Sequence, residues 1–139
     1  MMDVVPPPST GPAGPDGGEL LDVSALAERC FGDRDLELDL LHLFVAQCRE
    51  VGKALLVSAD AGTIRDAAHA LRGSAAAVGA DALARALAGL EEAAAAGPVD
   101  PDARRDLPAL LGATVAAAEA HLAKRGAEAA ALAKPDGLA

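Results

Sequence analysis

The chain has 139 residues, enough for one domain with terminal segments, and its 12 Lys and Arg against 21 Asp and Glu give a formal net charge of -9. An acidic surface repels nucleic acid and anionic lipid, so neither is expected as a partner. Alanine is abundant, β-branched residues are scarce, and Phe31 and Phe44 are the only aromatic residues. This composition favours an all-α protein over a β-sandwich or barrel.

The two ends of the chain lack the pattern of a packed domain. Residues 1–18 are rich in proline and glycine and are expected to form a disordered tail. Residues 19–126 are predicted to form a helical bundle, and residues 127–139 a flexible C-terminal tail. The sequence has no secretory signal pattern and no stretch near the roughly 20 apolar residues of a membrane span. We therefore expect a cytoplasmic protein in which Cys30 and Cys48 are buried thiols.

Five helices are predicted, and the first three are taken here in chain order. A short helix over 22–31 precedes a long helix over 34–58. Apolar residues of the long helix recur at spacings of three and four, namely Leu36, Leu40, Leu43, Phe44, Cys48, Val51 and Leu55. The third helix is expected over 63–78, and Thr63 with Asp66 resembles a capping box at its start.

The last two helices are predicted from caps and breakers. Asp81 is expected to cap the fourth helix, which Gly97 ends and whose apolar stripe is Leu83, Leu87, Leu90 and Ala94. The pair at 100–101 is typical of an N-cap followed by proline. In the fifth helix, Pro108 either produces a kink or marks a start just after Asp106. Four long amphipathic helices with short loops predict an antiparallel, up-down-up-down four-helix bundle with a short extra N-terminal helix.

A helical wheel divides the third helix into two faces. One arc of about 100° is apolar and contains Ile64, Ala67, Ala68, Leu71, Ala75 and Val78. On the opposite side lies His69, with Arg65 one turn before it and Arg72 one turn after it. An exposed imidazole is mostly neutral near pH 7 and available as a nucleophile. Arg72, with Arg65 as an accessory cation, could pair with a phosphoryl group on His69. Gly73 costs about 1 kcal/mol relative to alanine, and clearance for a partner protein would explain it.

The segment 68–75, AHALRGSA, resembles the phosphoacceptor motif of the Hpt family, the histidine-phosphotransfer domains of two-component relays. In that motif a histidine is followed by an apolar residue, Lys or Arg, Gly and Ser. The resemblance covers about residues 20–125, and its other matches are Asp60-Ala61-Gly62, Val78-Gly79-Ala80, Leu90-Glu91 and Phe44. The chain departs from the family pattern at Arg72, where Lys is commoner, and at Pro108 in the fifth helix.

The resemblance implies a relay step and not an enzymatic turnover. His69 would accept a phosphoryl group, expected on ring nitrogen Nε2, from the aspartyl phosphate of a receiver domain and pass it to another. A sensor histidine kinase could also phosphorylate it. The family likeness implies no nucleotide site, cofactor or metal of the chain's own, because Mg²⁺ and a stabilising lysine come from the receiver. A monomer is expected.

Two alternatives stay open. A non-catalytic helical adaptor would dock a receiver or kinase, although it would have no need of a nucleophile at His69. A metal-binding bundle would use Asp39 with His42 and Asp66 with His69, because both pairs share the spacing found in di-iron bundles. Such bundles also need inward-facing glutamates, whereas the fourth helix is predicted to direct leucine and alanine inward.

The remaining polar residues are given no function from the sequence. Glu91 and Glu92 are interpreted as an ordinary charged helix face. His42 and His121 are expected to be exposed or hydrogen-bonded in place. The Ser74 hydroxyl is expected to bond back to a carbonyl of its own helix.

Overall fold

The computed structural model describes residues 20–133. The predicted tail at 1–18 and residues 134–139 lie outside this range. Within it the chain is all-helical and contains no strand, as predicted. The elements are α1 (Val23–Arg29), α2 (Arg34–Val57), α3 (Ala61–Ala77), α4 (Asp81–Ala96), a 3-10 turn (Pro101–Arg104) and α5 (Leu107–Ala133). The antiparallel four-helix bundle with a short N-terminal helix is therefore confirmed.

Aspartate side chains open the first three helices. Asp22, Asp33 and Asp60 each accept a hydrogen bond from the backbone N–H three residues later. The capping box predicted at Thr63 and Asp66 is wrong, because Asp60 occupies the N-cap. Thr63 donates to its carboxylate from the backbone at 2.8 Å and from the hydroxyl at 2.7 Å. As a result α3 begins earlier than the sequence predicted.

The start of α4 and the following 3-10 turn also correct the predicted caps. The N-cap of α4 is Ala80, whose side chain cannot accept a hydrogen bond. Asp81 is instead the first helical residue, where its negative charge lies at the positive end of the helix dipole. Asp100 is an N-cap as predicted, but it caps the 3-10 turn by accepting from the backbone N–H of Asp102 at 2.9 Å.

The last helix resolves the two alternatives for Pro108. Because α5 begins at Leu107, Pro108 lies in its first turn, where a missing N–H breaks no helical hydrogen bond. The start just after Asp106 is thus the correct alternative. The helix continues beyond residue 126 to Ala133, so the first part of the predicted C-terminal tail is helical. None of the described helices is both long and apolar enough to cross a membrane.

The core lies between the four long helices. Its members are mainly leucine and alanine around Phe44. The stripe predicted for α2 is partly wrong, because the side chains of Leu36 and Leu43 are 40% and 66% exposed. Leu41 and Glu37, the neighbours of the predicted stripe on the helix surface, are buried instead. Helix α2 is therefore rotated toward the core by about one residue relative to the predicted face.

A glycine at the turn between α3 and α4 allows α1 to pack against the bundle. Gly79 has φ +84, and a Cβ there would lie 2.6 Å from the backbone oxygen of Asp22. The backbone N–H of Asp22 donates to the Gly79 carbonyl at 2.8 Å. Arg29 of α1 donates to the carbonyls of Ala76 and Ala77 at 2.7 and 3.2 Å. Helix α1 is thus hydrogen-bonded to the C-terminal end of α3.

Candidate functional site

The two faces predicted for α3 are found in the structure. The core side carries the buried residues Ile64, Ala68, Leu71 and Ala75. On the outer side, the His69 side chain is 66% exposed and the Arg72 side chain is 39% exposed. Gly73 is also exposed. The helix therefore presents His69 to solvent from a rigid support.

A carboxylate of the neighbouring helix holds both His69 and Arg72. The Nδ1 atom of His69 lies 2.8 Å from Oε2 of Glu91 on α4. The Nε atom of Arg72 donates to Oε1 of the same carboxylate at 2.8 Å. The interpretation of Glu91 as part of an ordinary charged face is therefore wrong. Its side chain is only 23% exposed, and each of its oxygens has a partner in the site.

These contacts define the tautomer of the neutral imidazole ring. An ionised carboxylate can only accept, so Nδ1 of His69 must carry the hydrogen that is donated to Glu91. The Nη2 atom of Arg72 lies 3.3 Å from Nδ1, but this is not a hydrogen bond, because both atoms are then donors. In the neutral ring Nε2 therefore carries the lone pair, and this atom has no hydrogen-bond partner within residues 20–133.

The charge state of Glu91 is consistent with this geometry. The hydrogen bond from His69 lowers the pKa of the Glu91 carboxyl below its usual range, and the bond from Arg72 acts in the same direction. Partial burial opposes the two hydrogen bonds with a smaller effect. The carboxylate is therefore ionised at neutral pH, which is the state that fixes the proton on Nδ1 of His69.

The structure does not bring Arg65 into the site. Its guanidinium lies 3.5 Å from the carboxylate of Asp66, and both side chains are largely exposed. Neither residue forms a hydrogen bond or an ion pair with His69 in the part of the chain that the structure describes. An accessory role for Arg65 remains a prediction, whereas Arg72 lies next to the ring as expected from the sequence.

The surroundings of Gly73 contain open space. A Cβ atom added there would meet no atom of residues 20–133 within 4 Å, so packing within these residues does not require glycine. The next residue, Ser74, donates its hydroxyl hydrogen to the side-chain oxygen of Gln47 on α2. The predicted bond from Ser74 to the Ala70 carbonyl is present only as a long contact of 3.5 Å.

The other histidines lie outside this site. His42 is exposed on α2. Nε2 of His121 lies 2.7 Å from the buried carboxylate of Glu37, so His121 is hydrogen-bonded in place as expected. Among residues 20–133, no three or more His, Cys, Asp or Glu side chains gather in a way that could hold a metal ion.

The chain matches the model of a known protein family. A family model described as the Hpt domain matches residues 39–129, which include His69, Arg72 and Glu91. No curated protein and no solved structure matches the chain.

Proposed function

Because the chain belongs to the Hpt domain family, we propose that His69 accepts a phosphoryl group and exchanges it with an aspartate of a response-regulator receiver domain. Members of this family are phosphotransfer carriers in two-component signalling, and they interact with kinases or receivers. The observation that carries the finer proposal is the exposed His69 side chain, whose Nδ1 is held by Glu91 and whose Nε2 has no hydrogen-bond partner within residues 20–133. A sensor kinase as the direct donor and a cytoplasmic location remain predictions.

The geometry supports a transfer in which no proton has to leave the ring. The Nε2 lone pair attacks the phosphorus of the aspartyl phosphate, and a P–N bond forms while the P–O bond breaks. The electron pair of that bond returns to the aspartate, which leaves as a carboxylate. His69 keeps its Nδ1 hydrogen throughout, and the positive charge that develops on the ring is stabilised by Glu91. Donation to a receiver is the reverse of the same step.

Arg72 has donors left for the phosphoryl group. Its Nε atom is bound to Glu91, but a guanidinium has five N–H donors in a planar fork. The remaining donors can therefore face a phosphoryl group on His69 while the bond to Glu91 is kept. This group brings roughly two negative charges, so a fixed cation beside it lowers the free energy of the phosphorylated form. Mg²⁺ would belong to the receiver, where the aspartate is phosphorylated.

A label-transfer experiment tests the proposal. Purified protein is incubated with a panel of ³²P-phosphorylated receiver domains, with His69→Gln as the matched variant. We expect label on the wild type that is unstable in acid, stable in alkali and missing from the variant. A folded protein that takes label from no donor would favour the adaptor function. Label retained by the variant would move the site to another residue, with His42 and His121 tested next.

Substitutions of Gly73 test whether this position provides clearance for a partner. We expect Gly73→Ala to stabilise the protein by about 1 kcal/mol, because alanine is the better helix former and its Cβ meets open space. Gly73→Leu should leave the helix intact but slow exchange with the receiver at least about tenfold, because the side chain stands beside His69. Chemical denaturation and the transfer assay measure the two effects. Normal exchange by Gly73→Leu would contradict the clearance explanation.

A further inference from the structure

The turn between α1 and α2 contains an aromatic residue in a conformation that normally belongs to glycine. Phe31 has φ +56. Its backbone N–H donates to the Glu28 carbonyl, and the N–H of Gly32 donates to the Ala27 carbonyl, both at 3.0 Å. This is the hydrogen-bond pattern of a Schellman C-cap, in which the left-handed residue is usually glycine. A bulky side chain in this region is an outlier and costs on the order of 1 kcal/mol or more.

Packing does not compensate for the strain at Phe31. The residue is 91% exposed, although phenylalanine is among the most apolar side chains and the chain has only two of them. Because the ring makes so little contact within residues 20–133, folding gains nothing from it. Strained residues cluster at functional sites and aromatic residues are enriched among binding anchors, so Phe31 is a candidate contact with another molecule.

The position of Phe31 connects it to the helix that carries His69. Arg29, two residues before Phe31, donates to the carbonyls of Ala76 and Ala77 at the C-terminal end of α3. His69 lies two turns earlier on α3, roughly 10–12 Å along its axis. The α1–α2 turn is thus held near one edge of the surface that surrounds His69.

An apolar groove lies at the same end of α3, where Ala77, whose carbonyl accepts from Arg29, is one of its lining residues. The groove runs between α2 and α3 and is lined by Leu40, Leu43, Gln47, Ser74 and Ala77, among others. Leu43 at its edge is 66% exposed. The exposed residues of α3 that follow His69 in the chain are all small, namely Ala70, Gly73, Ala76 and Ala77. A partner seated over His69 would meet no large side chain of α3 before it reaches Leu43.

We propose that Phe31 and Leu43 are apolar anchors of the surface on which the receiver domain docks, an inference that rests on the proposed function of His69. A specific interface covers about 800 Å² on each partner, which corresponds to a patch roughly 30 Å across. A receiver that brings its aspartate to Nε2 of His69 therefore has to cover neighbouring surface as well. A few exposed anchors, aromatic ones above all, supply most of the binding energy of such an interface.

A receiver fits this surface better than a second copy of the chain. Every copy carries a formal net charge of -9, and like net charges oppose self-association. A receiver must in any case contact the α3 surface beside His69 during transfer, and the groove at Leu43 is continuous with that surface. Because the apolar groove is continuous with the surface around His69, we assign a receiver domain, and not a second copy of the chain, as its occupant.

Phe31→Gly separates a docking role from a structural one. Glycine relieves the strain at φ +56, so we expect the Tm to rise by about 4 °C. At the same time, the receiver concentration that gives half-maximal transfer should rise about tenfold, because the aromatic anchor is lost. The maximal rate and the labelling of His69 by phosphoramidate, a small phosphodonor that needs no docking, should stay unchanged.

Two further variants complete the test. Leu43→Glu should raise the half-maximal receiver concentration as Phe31→Gly does. Ala116→Glu is the control, because it adds the same charge at an exposed position of α5, a helix that packs on α2 and α4. This control should leave the half-maximal receiver concentration unchanged. A lower Tm for Phe31→Gly with unchanged receiver dependence would make Phe31 structural and overturn the inference. A wild-type dimer that Phe31→Gly dissociates would assign the surface to a second copy. Wild type that neither phosphoramidate nor any receiver labels would instead refute the function proposed for His69.

Discussion

Glu91→Ala is expected to slow phosphoryl transfer to and from His69 by between about tenfold and a hundredfold. The carboxylate keeps the hydrogen of the ring on Nδ1 and leaves Nε2 free to attack. Without it, part of the His69 population carries the hydrogen on Nε2, where the lone pair is needed. The positive charge that develops on the ring also loses its nearest counter-charge. Because Glu91 acts on the ring and not on the partner, the receiver dependence should change little.

The tautomer of His69 gives a readout that a purely structural role would not move. In wild-type protein, ¹⁵N NMR should find Nδ1 protonated and Nε2 unprotonated, and Glu91→Ala should shift this population toward Nε2–H. The pH dependence of the contact between Glu91 and His69 has a defined direction. Since the folded state lowers the pKa of Glu91 below its usual value of 4.5, the contact is complete above that value. It is lost only as the pH falls through the lower value of the folded protein.

Matched variants make the Glu91 prediction specific. Glu91→Gln keeps an oxygen that can accept from Nδ1 but removes the charge, so its rate should lie between those of wild type and Glu91→Ala. Glu92→Ala removes the next carboxylate along α4, which is exposed and makes no contact with His69 among the described residues, and should behave as wild type. If Glu92→Ala slowed transfer as much as Glu91→Ala, general electrostatics would explain the effect and the positioning role would be wrong.

The sequence could predict one half of this site but not the other. His69, Arg72 and Gly73 belong to one helix, so the 3.6-residue period was sufficient to place them on its outer face. Glu91 reaches the ring only because α3 and α4 pack antiparallel at one particular register, which no local pattern determines. The signal available in advance was the Leu90-Glu91 pair of the family resemblance. The residue after a core leucine on the neighbouring helix lies at the edge of the α3–α4 interface, within reach of a side chain such as His69.

The core face of helix α2 is a second feature that the local sequence pattern could not determine. Its leucines are compatible with two stripes that differ by one residue, and the sequence favoured the stripe through Leu36 and Leu43. The structure buries the other stripe and with it Glu37, which is 3% exposed. Prediction from hydrophobicity places a charged residue on the surface, because a charge is buried only when partners compensate for it. Such partners cannot be recognised from a local pattern. Here the partners are His121 and Arg125, which lie far along the chain on α5.

Glu37→Ala is therefore expected to lower the free energy of unfolding by about 3 kcal/mol. The Glu37 carboxylate accepts from Nε2 of His121 at 2.7 Å and from Nη2 of Arg125 at 3.2 Å. Both donors are themselves largely buried, with side chains 14% and 25% exposed, and Nε of Arg125 already lacks a partner among residues 20–133. Removing the acceptor leaves the His121 ring N–H without its partner and leaves Arg125 paired with Glu128 alone, which costs more than a lost surface contact. Urea denaturation followed by circular dichroism measures the change.

Two companion variants show whether the expected loss of stability in Glu37→Ala comes from breaking its pairing with His121 and Arg125. Glu119→Ala removes a carboxylate that pairs with Arg49 at the surface of the same helix interface, and it should cost no more than about 0.5 kcal/mol. Glu37→Leu removes the charge but fills the space, so its cost should be smaller than that of Glu37→Ala. Equal losses for Glu37→Ala and Glu119→Ala would mean that the buried position of the carboxylate contributes nothing. Glu37, His121 and Arg125 join α2 to α5 and form no hydrogen bond with His69. Each variant that remains folded should therefore still accept phosphate at the wild-type rate.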